Sequence, residues 1–428
     1  MKQSFLTILM CYVLSFSATA SADKTDKLIQ LLINKNIVTA DEAKSILEEL
    51  SAGDEEKPDK KPAKPEEKTS SNKNQNPAVK YDKGLVFKTT DNNYSMKLGA
   101  RIHGMFTYAD PDNNPSSSTF KIRRARILAD GNVYTPWLKY SAQITLECST
   151  AAIRDAWMEA SYYKYFSPRF GQYKVPFDRE FLDGGFNLQL IERSVASAEF
   201  SLQRDIGLQV SGKGILKSID YSIGVFNGSG ANQSNVDNDY MYVGRVVWAP
   251  FGAYPYSESA VDCPSNPVFA IGIAAAYMPG LEAGERKALA GKLGTLSILP
   301  VESDVTQWTA DLVYKYHNLS LMSGYYYRNI DPMDETTYGE QSAWGVFLQG
   351  GYFIVPGHLE IAGRYSYIDP DTPDKVSDDE KTEYTVGLNY YLSGHNVKTG
   401  INYSYFSTEN QLGDIEEHVV NASVIFQF

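Results

Sequence analysis

The 428-residue chain is short of histidine, with five, and of cysteine, with three. Beyond residue 22 it has no apolar run approaching the roughly 18 residues that a membrane-crossing helix needs. That absence, with a mean hydropathy of −0.33, excludes a helical membrane protein. It leaves a membrane β-barrel open, because barrel strands alternate apolar and polar residues. The few cysteines exclude a disulfide framework: Cys11 lies in a leader-like segment, and Cys148 and Cys263 stand far apart. Nothing around them has metal-ligand spacing, so no cofactor is expected. No G-x-S-x-G or H-E-x-x-H occurs, and His103 is the one histidine on the inward face of a strand, which leaves an enzyme little to work with. Positive charge is scarce overall, with 40 Lys and Arg against 52 Asp and Glu and a net charge of −12. A nucleic-acid partner is therefore not expected.

What the chain does have is tyrosine, at 30 residues, and a clear change of pattern along its length. Lys2, the run FLTILMCYVLSFS and the small residues of Ala18–Ala22 read as a secretory signal peptide over 1–22, the rival being an N-terminal anchor. Residues 23–52 read as a helical hairpin. Leu28, Leu31 and Leu32 mark its first apolar face, and the capping box from Thr39 to Glu42 starts its second helix. So small a hairpin cannot bury its stripe alone, which points to oligomerisation. Residues 53–80 are rich in Pro, Lys, Glu and Ser and read as a disordered linker.

From Tyr94 the period becomes two. Leu138, Tyr140, Ala142, Ile144 and Leu146 alternate with Lys139, Ser141, Gln143, Thr145 and Glu147. Trp308 to Tyr316, Leu359 to Tyr367 and Val397 to Tyr405 repeat the pattern. Tight turns (YTPW, KYHN, VPGH, SGHN) exchange with long polar loops, and about sixteen strands fit between Tyr81 and Phe428. Short turns at one end and long loops at the other describe an antiparallel transmembrane β-barrel. A soluble sandwich or solenoid would hide an apolar face that here is crowded with Tyr, Phe and Trp near strand ends, as interfacial girdles are. The final strand ends on Phe428, the aromatic terminus such barrels present to their assembly machinery. Outer-membrane lipid is the expected surround.

In a wide barrel the polar face looks into a water-filled lumen. The inward phase collects Lys97, Arg101, Lys139, Arg245, Lys315, Arg328, Arg364 and Lys398, against Glu147, Asp155, Glu159, Asp311 and Glu360. The stretch TFKIRRARILADG (119–131) adds Lys121, Arg123, Arg124 and Arg126. Phe120 and Ile122 share one phase, whereas Ala125, Ile127 and Ala129 share the other. The alternation therefore slips by one at Arg123-Arg124, which predicts a β-bulge, or a strand leaving the membrane band there, with all four cations facing the lumen. A regular strand would put half of them in lipid, at about 2–4 kcal/mol each near the midplane.

The run GQYKVPF (171–177), RDIGLQVSG (204–212), YSIGVFNGSG (221–230) and VGRVVWAPFG (243–252), with RRAR (123–126) before it, resembles the phosphate-selective porin O and P family. The resemblance covers about Tyr81–Phe428. It implies a sixteen-stranded barrel that forms homotrimers, with a periplasmic N-terminal extension and a third loop folded into the lumen. That loop corresponds to Asp178–Gln203, where Gly184-Gly185 would allow a sharp bend and Arg179, Arg193 and, at its edge, Arg204 supply cations. The family's best-known members carry arginines up the wall and lysines at the constriction. This chain matches the arginines through Arg123, Arg124 and Arg126, but 178–203 holds no lysine. The reading is a passive, anion-preferring channel for small inorganic or organic anions, phosphate or polyphosphate among them. A general diffusion porin is the alternative, and an outer-membrane enzyme or adhesin barrel a minor one.

Overall fold

The computed structural model describes residues 78–147, 151–235, 238–281, 301–334, 339–371, 380–409 and 413–428. The expected leader, the helical hairpin and the linker up to 77 lie outside the described residues, as does Cys148. The described chain opens with β1 (Ala78–Tyr81) and β2 (Leu85–Lys88), so an ordered hairpin begins ahead of the expected boundary at 81.

The wall consists of β3 (Ser95–Pro111), β4 (Ser117–Asn132), β5 (Leu138–Thr145), β6 (Ala152–Ala160), β7 (Ser167–Lys174), β8 (Arg204–Ile215), β9 (Ile219–Phe226) and β10 (Met241–Trp248), followed by β11 (Val268–Leu281), β12 (Ser303–Tyr316), β13 (Leu319–Pro332), β14 (Gln341–Val355), β15 (Leu359–Asp371), β16 (Glu380–Ser393), β17 (Val397–Glu409) and β18 (Ile415–Gln427). Each pairs antiparallel with the next, and β18 pairs back onto β3 from Gln427↔Arg101 to Glu417↔Pro111. The result is a closed 16-strand antiparallel barrel. Closure leaves no unpaired edge in the apolar zone, where each orphaned backbone group would cost several kcal/mol. The seam is tied by Ala100 and Phe428, which exchange backbone hydrogen bonds at 2.9 and 3.0 Å. A Cβ on Gly99 would stand 2.7 Å from the Phe428 carbonyl oxygen, so the seam needs glycine there. The β1–β2 hairpin occupies the same edge of β3 below the seam, with Leu85 opposite Leu98.

Alternation holds around the ring. Along β12, inward Val305, Gln307, Thr309, Asp311, Val313 and Lys315 are buried while Trp308 is exposed outward. Outward aromatics form a continuous belt near the long-loop end of β12–β17, running Trp308–Tyr325–Trp344–Tyr367 and Tyr365–Tyr384–Tyr405, with centroids 5.2–6.4 Å apart. Trp137, Tyr162, Tyr163, Trp248 and Phe269 mark the opposite end.

The wall is uneven in height. β11–β18 have 13–15 residues each, whereas β5, β7, β9 and β10 have 8 and β6 has 9. Eight residues at ~3.3 Å each, tilted by about 40°, rise only about 20 Å, short of a ~25 Å apolar band.

Candidate functional site: the lumen constriction

Residues 175–203, between β7 and β8, fold into the lumen. They carry α1 (Arg179–Leu182) and α2 (Val195–Phe200). Asp178 caps α1 by accepting from the Glu180 and Phe181 amides at 3.1 Å, and Ser194 caps α2 through the Ser197 amide at 3.0 Å. The loop has its own apolar underside. Phe177 and Leu202 pack with inward Phe226, Met241, Val243, Met278 and Val305. Ala196 and Phe200 pack with Val313, Met322, Tyr326 and Phe347, and the Phe200 and Tyr326 rings stack 5.6 Å apart. Under the loop the inward face of β9–β15 therefore mixes these apolar patches with buried polar residues such as Arg245, Gln307 and Arg328. Gly184 and Gly185 lie at the expected sharp bend, a turn closed by the Asn187 amide on the Gly184 carbonyl at 2.7 Å, but neither needs positive φ there. Gly185 instead permits close approach: a Cβ there would lie 3.0 Å from Arg124 Nε.

The predicted bulge is present. His103 of β3 faces Arg124 and Gly104 faces Ile122, so Arg123 is the extra residue of β4. Arg123 and Arg124 then both turn inward and clamp one loop carboxylate. Arg123 holds Glu192 through Nε and through NH2 at 2.9 Å, and Arg124 NH2 reaches it at 3.2 Å. Arg124 NH1 also donates to His103 Nδ1 at 2.8 Å. Burial alone would raise the Glu192 carboxyl; the Arg123 hydrogen bond and the Arg124 and Arg123 charges outweigh it and hold the pKa at about 2.

A second bulge lies across β5. Gln143 faces Asp155 and Ile144 faces Ile153, leaving Arg154 as the extra residue of β6. Around it, Arg126 donates to Glu147 at 3.2 Å and Arg204 binds Asp155 through two bonds of 3.1 Å. Arg169 pairs with Glu159 and lies 4.3 Å over the Trp157 ring. The Arg101 and Arg126 guanidinium groups lie 5.7 and 5.4 Å from the ring centre of Phe186 in the loop. Lys97, Arg101 and Arg154 are partly exposed on this wall, and Lys121 and Lys139 fully so. Among the described residues none of these five has a hydrogen bond or ion pair. Lys121 lines a cavity of about 190 Å³ with Glu192, Arg193 and Arg364.

Arg124, Arg126 and Arg204 are themselves only 2–8% exposed, and the other expected cations also face inward but are sealed. Arg245 donates to the Phe177 carbonyl at 2.6 Å and pairs with Asp311 at 2.7 Å. Arg328 binds the Glu199 carboxylate and carbonyl at 3.1 and 2.9 Å. Arg364 holds Glu383 at 2.8 Å and the Glu192 carbonyl at 2.9 Å. Lys398 donates to the Leu188 carbonyl, and Lys315 to the Ser257 and Ser259 carbonyls at 2.6 and 3.0 Å. Their expected place along an open channel is thus corrected for a physical reason. Loop 175–203, with residues 257–259 over Lys315, fills that half of the lumen, and each desolvated cation needs oxygens from these segments. Arg179 is buried as well, bonded to the Pro255 carbonyl at 2.6 Å and paired with Asp183 at 3.2 Å. Arg193 stays partly exposed, its guanidinium on the Glu180 and Asp183 carbonyls. Burial also raises the Asp178 and Asp183 carboxyls of the loop, that of Glu258 beside it, and that of Glu180 to about 8.

Arg154, Arg169 and Lys174 were not among the expected site residues. Lys174, at the end of β7, donates to the carbonyls of Phe181, Leu182 and Asp183 at 2.8–2.9 Å and so places a lysine at the root of a loop that has none. Its signal was the GQYKVPF motif. Arg154 had a signal of the same kind as Arg123, since outward Ile153 falls out of phase with outward Ala156 and Met158.

Residues 96–428 match the family described as phosphate-selective porin O and P. Among solved structures the chain resembles the anion-selective porin from Comamonas acidovorans, at 12% identity and a TM-score of 0.55 over 78% of this chain and 100% of that one. It also resembles the outer membrane channel DcaP of Acinetobacter baumannii, at 13% identity and 0.52 over 80% and 99%. The trimer form of OmpT, an outer membrane protein of Vibrio cholerae, matches at 11% and 0.50 over 78% and 99%. Identities this low establish the fold alone. A comparison with curated proteins finds no match. The family match covers most of the chain and the closed barrel agrees with it, so the chain belongs to the phosphate-selective porin O and P family: it is an outer-membrane porin, a passive channel and not an enzyme.

Proposed function

We propose that this porin conducts small anions in preference to cations, with phosphate and polyphosphate within its range. The observation that carries the reading is the uncompensated charge of the open wall. Arg126, Arg204 and Arg169 each have a carboxylate, and Glu192 answers two arginines, while Lys97, Arg101, Lys121, Lys139 and Arg154 form no ion pair among the described residues and outnumber the one further inward carboxylate beside them, Asp130 opposite Lys97. An anion shedding water at the constriction meets guanidinium donors that replace it with charge-assisted, often bidentate bonds. Several moderate sites in series let it leave as well as enter. The missing loop lysine favours a broad anion range over a single tight site. The reversal potential of single channels in a KCl gradient tests the reading, and a cation preference overturns it. Chloride current that does not saturate with added phosphate would favour the general diffusion porin.

The short-turn end, with the N-terminal segment, faces the periplasm in this reading. The low strands β5–β7, β9 and β10 cannot bridge the membrane alone, yet this side of the barrel presents Ile144, Ile153, Met158, Phe170, Ile223 and, on β8, Leu208 outward, 45–62% exposed. Two further copies would cover them, as a homotrimer does. Cross-linking in outer-membrane vesicles checks this; a monomer at every cross-linker dose overturns it.

A further inference from the structure

One connection at the short-turn end is unlike the others. The turns there span 133–137, 161–166, 216–218, 317–318, 356–358 and 394–396, but the link from β10 to β11 runs from 249 to 267. Its length is not needed for closure, since Trp248 already pairs with Ile271. The segment rises into the lumen instead, where Glu258, Ser259 and Ala260 are 2–3% exposed.

There it meets loop 175–203 from the opposite side. The Glu258 carboxylate accepts the Gln189 amide of the loop at 2.6 Å and the Gln349 side chain of β14 at 2.9 Å, so one carboxyl joins turn, loop and wall. The Glu258 amide donates to the Asn187 carbonyl at 3.3 Å. Arg179 of the loop donates to the Pro255 carbonyl and lies 4.3 Å over the Tyr256 ring. Ser259 holds Glu360 of β15 at 3.0 Å and Tyr391 of β16 at 2.7 Å. The other side of the turn borders open space: Tyr254 and Tyr256 face Trp157, Arg169 and Lys174 across a vestibule of about 550 Å³.

We propose that residues 249–267 form a second constriction element that closes the β12–β16 side of the lumen from below and routes solutes along the arginine wall, with Glu258 as the positioning residue that locks it to the loop. The turn contributes no free cation to the path. It acts by removing the alternative path and by holding the loop at its working distance from Arg101, Arg124 and Arg126. The inference rests on the channel reading, and the two can fail separately.

The test is planar-bilayer recording of the full chain with residues 253–262 replaced by Gly-Ser-Gly, beside Glu258→Ala and Glu258→Gln. The shortened turn should raise single-channel conductance about two- to threefold and bring the anion-to-cation permeability ratio towards one, because wider polar lumens discriminate less. Glu258→Ala should shift both in the same direction by less, with added open-channel noise as the loop loosens. Glu258→Gln keeps an oxygen for the Gln189 amide and should restore quiet channels. Unchanged conductance and selectivity in the shortened chain overturn the proposal. If that chain does not fold, wild-type noise and selectivity in Glu258→Ala overturn it. A wild-type protein that does not conduct sinks the channel reading instead.

Discussion

The walls of β3–β8 and β12–β17 are written in the same code, inward basic residues at alternate positions, and the fold uses them in opposite ways. On β3–β8 three strands, β5–β7, are short, two are bulged, and cations such as Lys97 and Lys121 stay at least partly exposed without an ion pair. On β12–β17 the strands are long, and Lys315, Arg328, Arg364 and Lys398 are 1–6% exposed beneath loop and turn. The difference lies in what packs against them. Where apolar inward residues such as Val313 and Phe347 invite the loop down, the neighbouring cations become its anchors. On β3–β8 the loop covers Arg124 and Arg126 but leaves others, Lys97 and Lys121 among them, free to meet solutes. A charge on the inward face is thus a stability element or a transport element according to its covering.

Cutting an anchor should have the largest effect. Arg364→Ala would leave Glu383 buried without its partner and free the loop backbone at Glu192. Removing one member of a buried pair costs about 3–5 kcal/mol. The expected outcome is a clear fall in the urea midpoint of the refolded barrel together with noisy channels. Lys121→Ala, on the open wall, should leave the midpoint in place. Equal effects from the two would erase the distinction between the walls.

Next comes charge reversal on the open side. Arg154 stands between Arg126 and Arg204, each already matched by Glu147 or Asp155. Arg154→Glu should therefore lower the anion-to-cation permeability ratio about tenfold, equivalent to ~1.4 kcal/mol, without moving the unfolding midpoint. The check is the reversal potential in a KCl gradient.

How far the sequence alone reached follows the same division. Strand alternation and the aromatic girdles were readable because each is local and periodic, whereas the place of the lumen loop came from the family resemblance. The bulge at Arg123 was readable because Phe120 and Ile122 fall out of phase with Ala125 and Ile127. Whether a given inward cation would be covered was not, because coverage depends on contacts between distant segments, such as Leu188 with Lys398 or Ser257 with Lys315. The lumen turn hid for a similar reason: APFGAYPYSES is as polar and proline-broken as a surface loop, and only its partners place Glu258 indoors.

A smaller effect is expected at the clamp joining the two walls. Glu192 neutralises part of the Arg123–Arg124 pair. Glu192→Gln should raise the anion-to-cation ratio about two- to threefold, within the range of a partly exposed pair. The sign with pH follows from its depressed pKa. The clamp's contribution is complete above the ordinary glutamate value and is lost only as pH falls through about 2. Between pH 5 and 7 Glu192 should therefore give the wild-type channel no titration step in selectivity; a step there that vanishes in Glu192→Gln would mean that the clamp is open in the working channel.

The mildest change is the most discriminating for the bulge. Deleting Arg123 leaves Phe120, Lys121, Ile122, Arg124 and Ala125 in unbroken alternation, with Lys121 and Arg124 inward and the rest outward. The β4 register against β3 then becomes regular, and no side chain changes face. The deletion should fold, retain heat-modifiable mobility on a gel, and lose only the stronger half of the Glu192 clamp, for a change in selectivity of about twofold or less. Deleting Ile122 instead should be far worse. It would leave Arg123 and Arg124 consecutive beside Lys121 with no apolar outward residue between them, so a regular strand would have to turn a cation into the apolar band at about 2–4 kcal/mol. If both deletions fold equally well, the bulge is not what keeps these cations on the wet face of the strand.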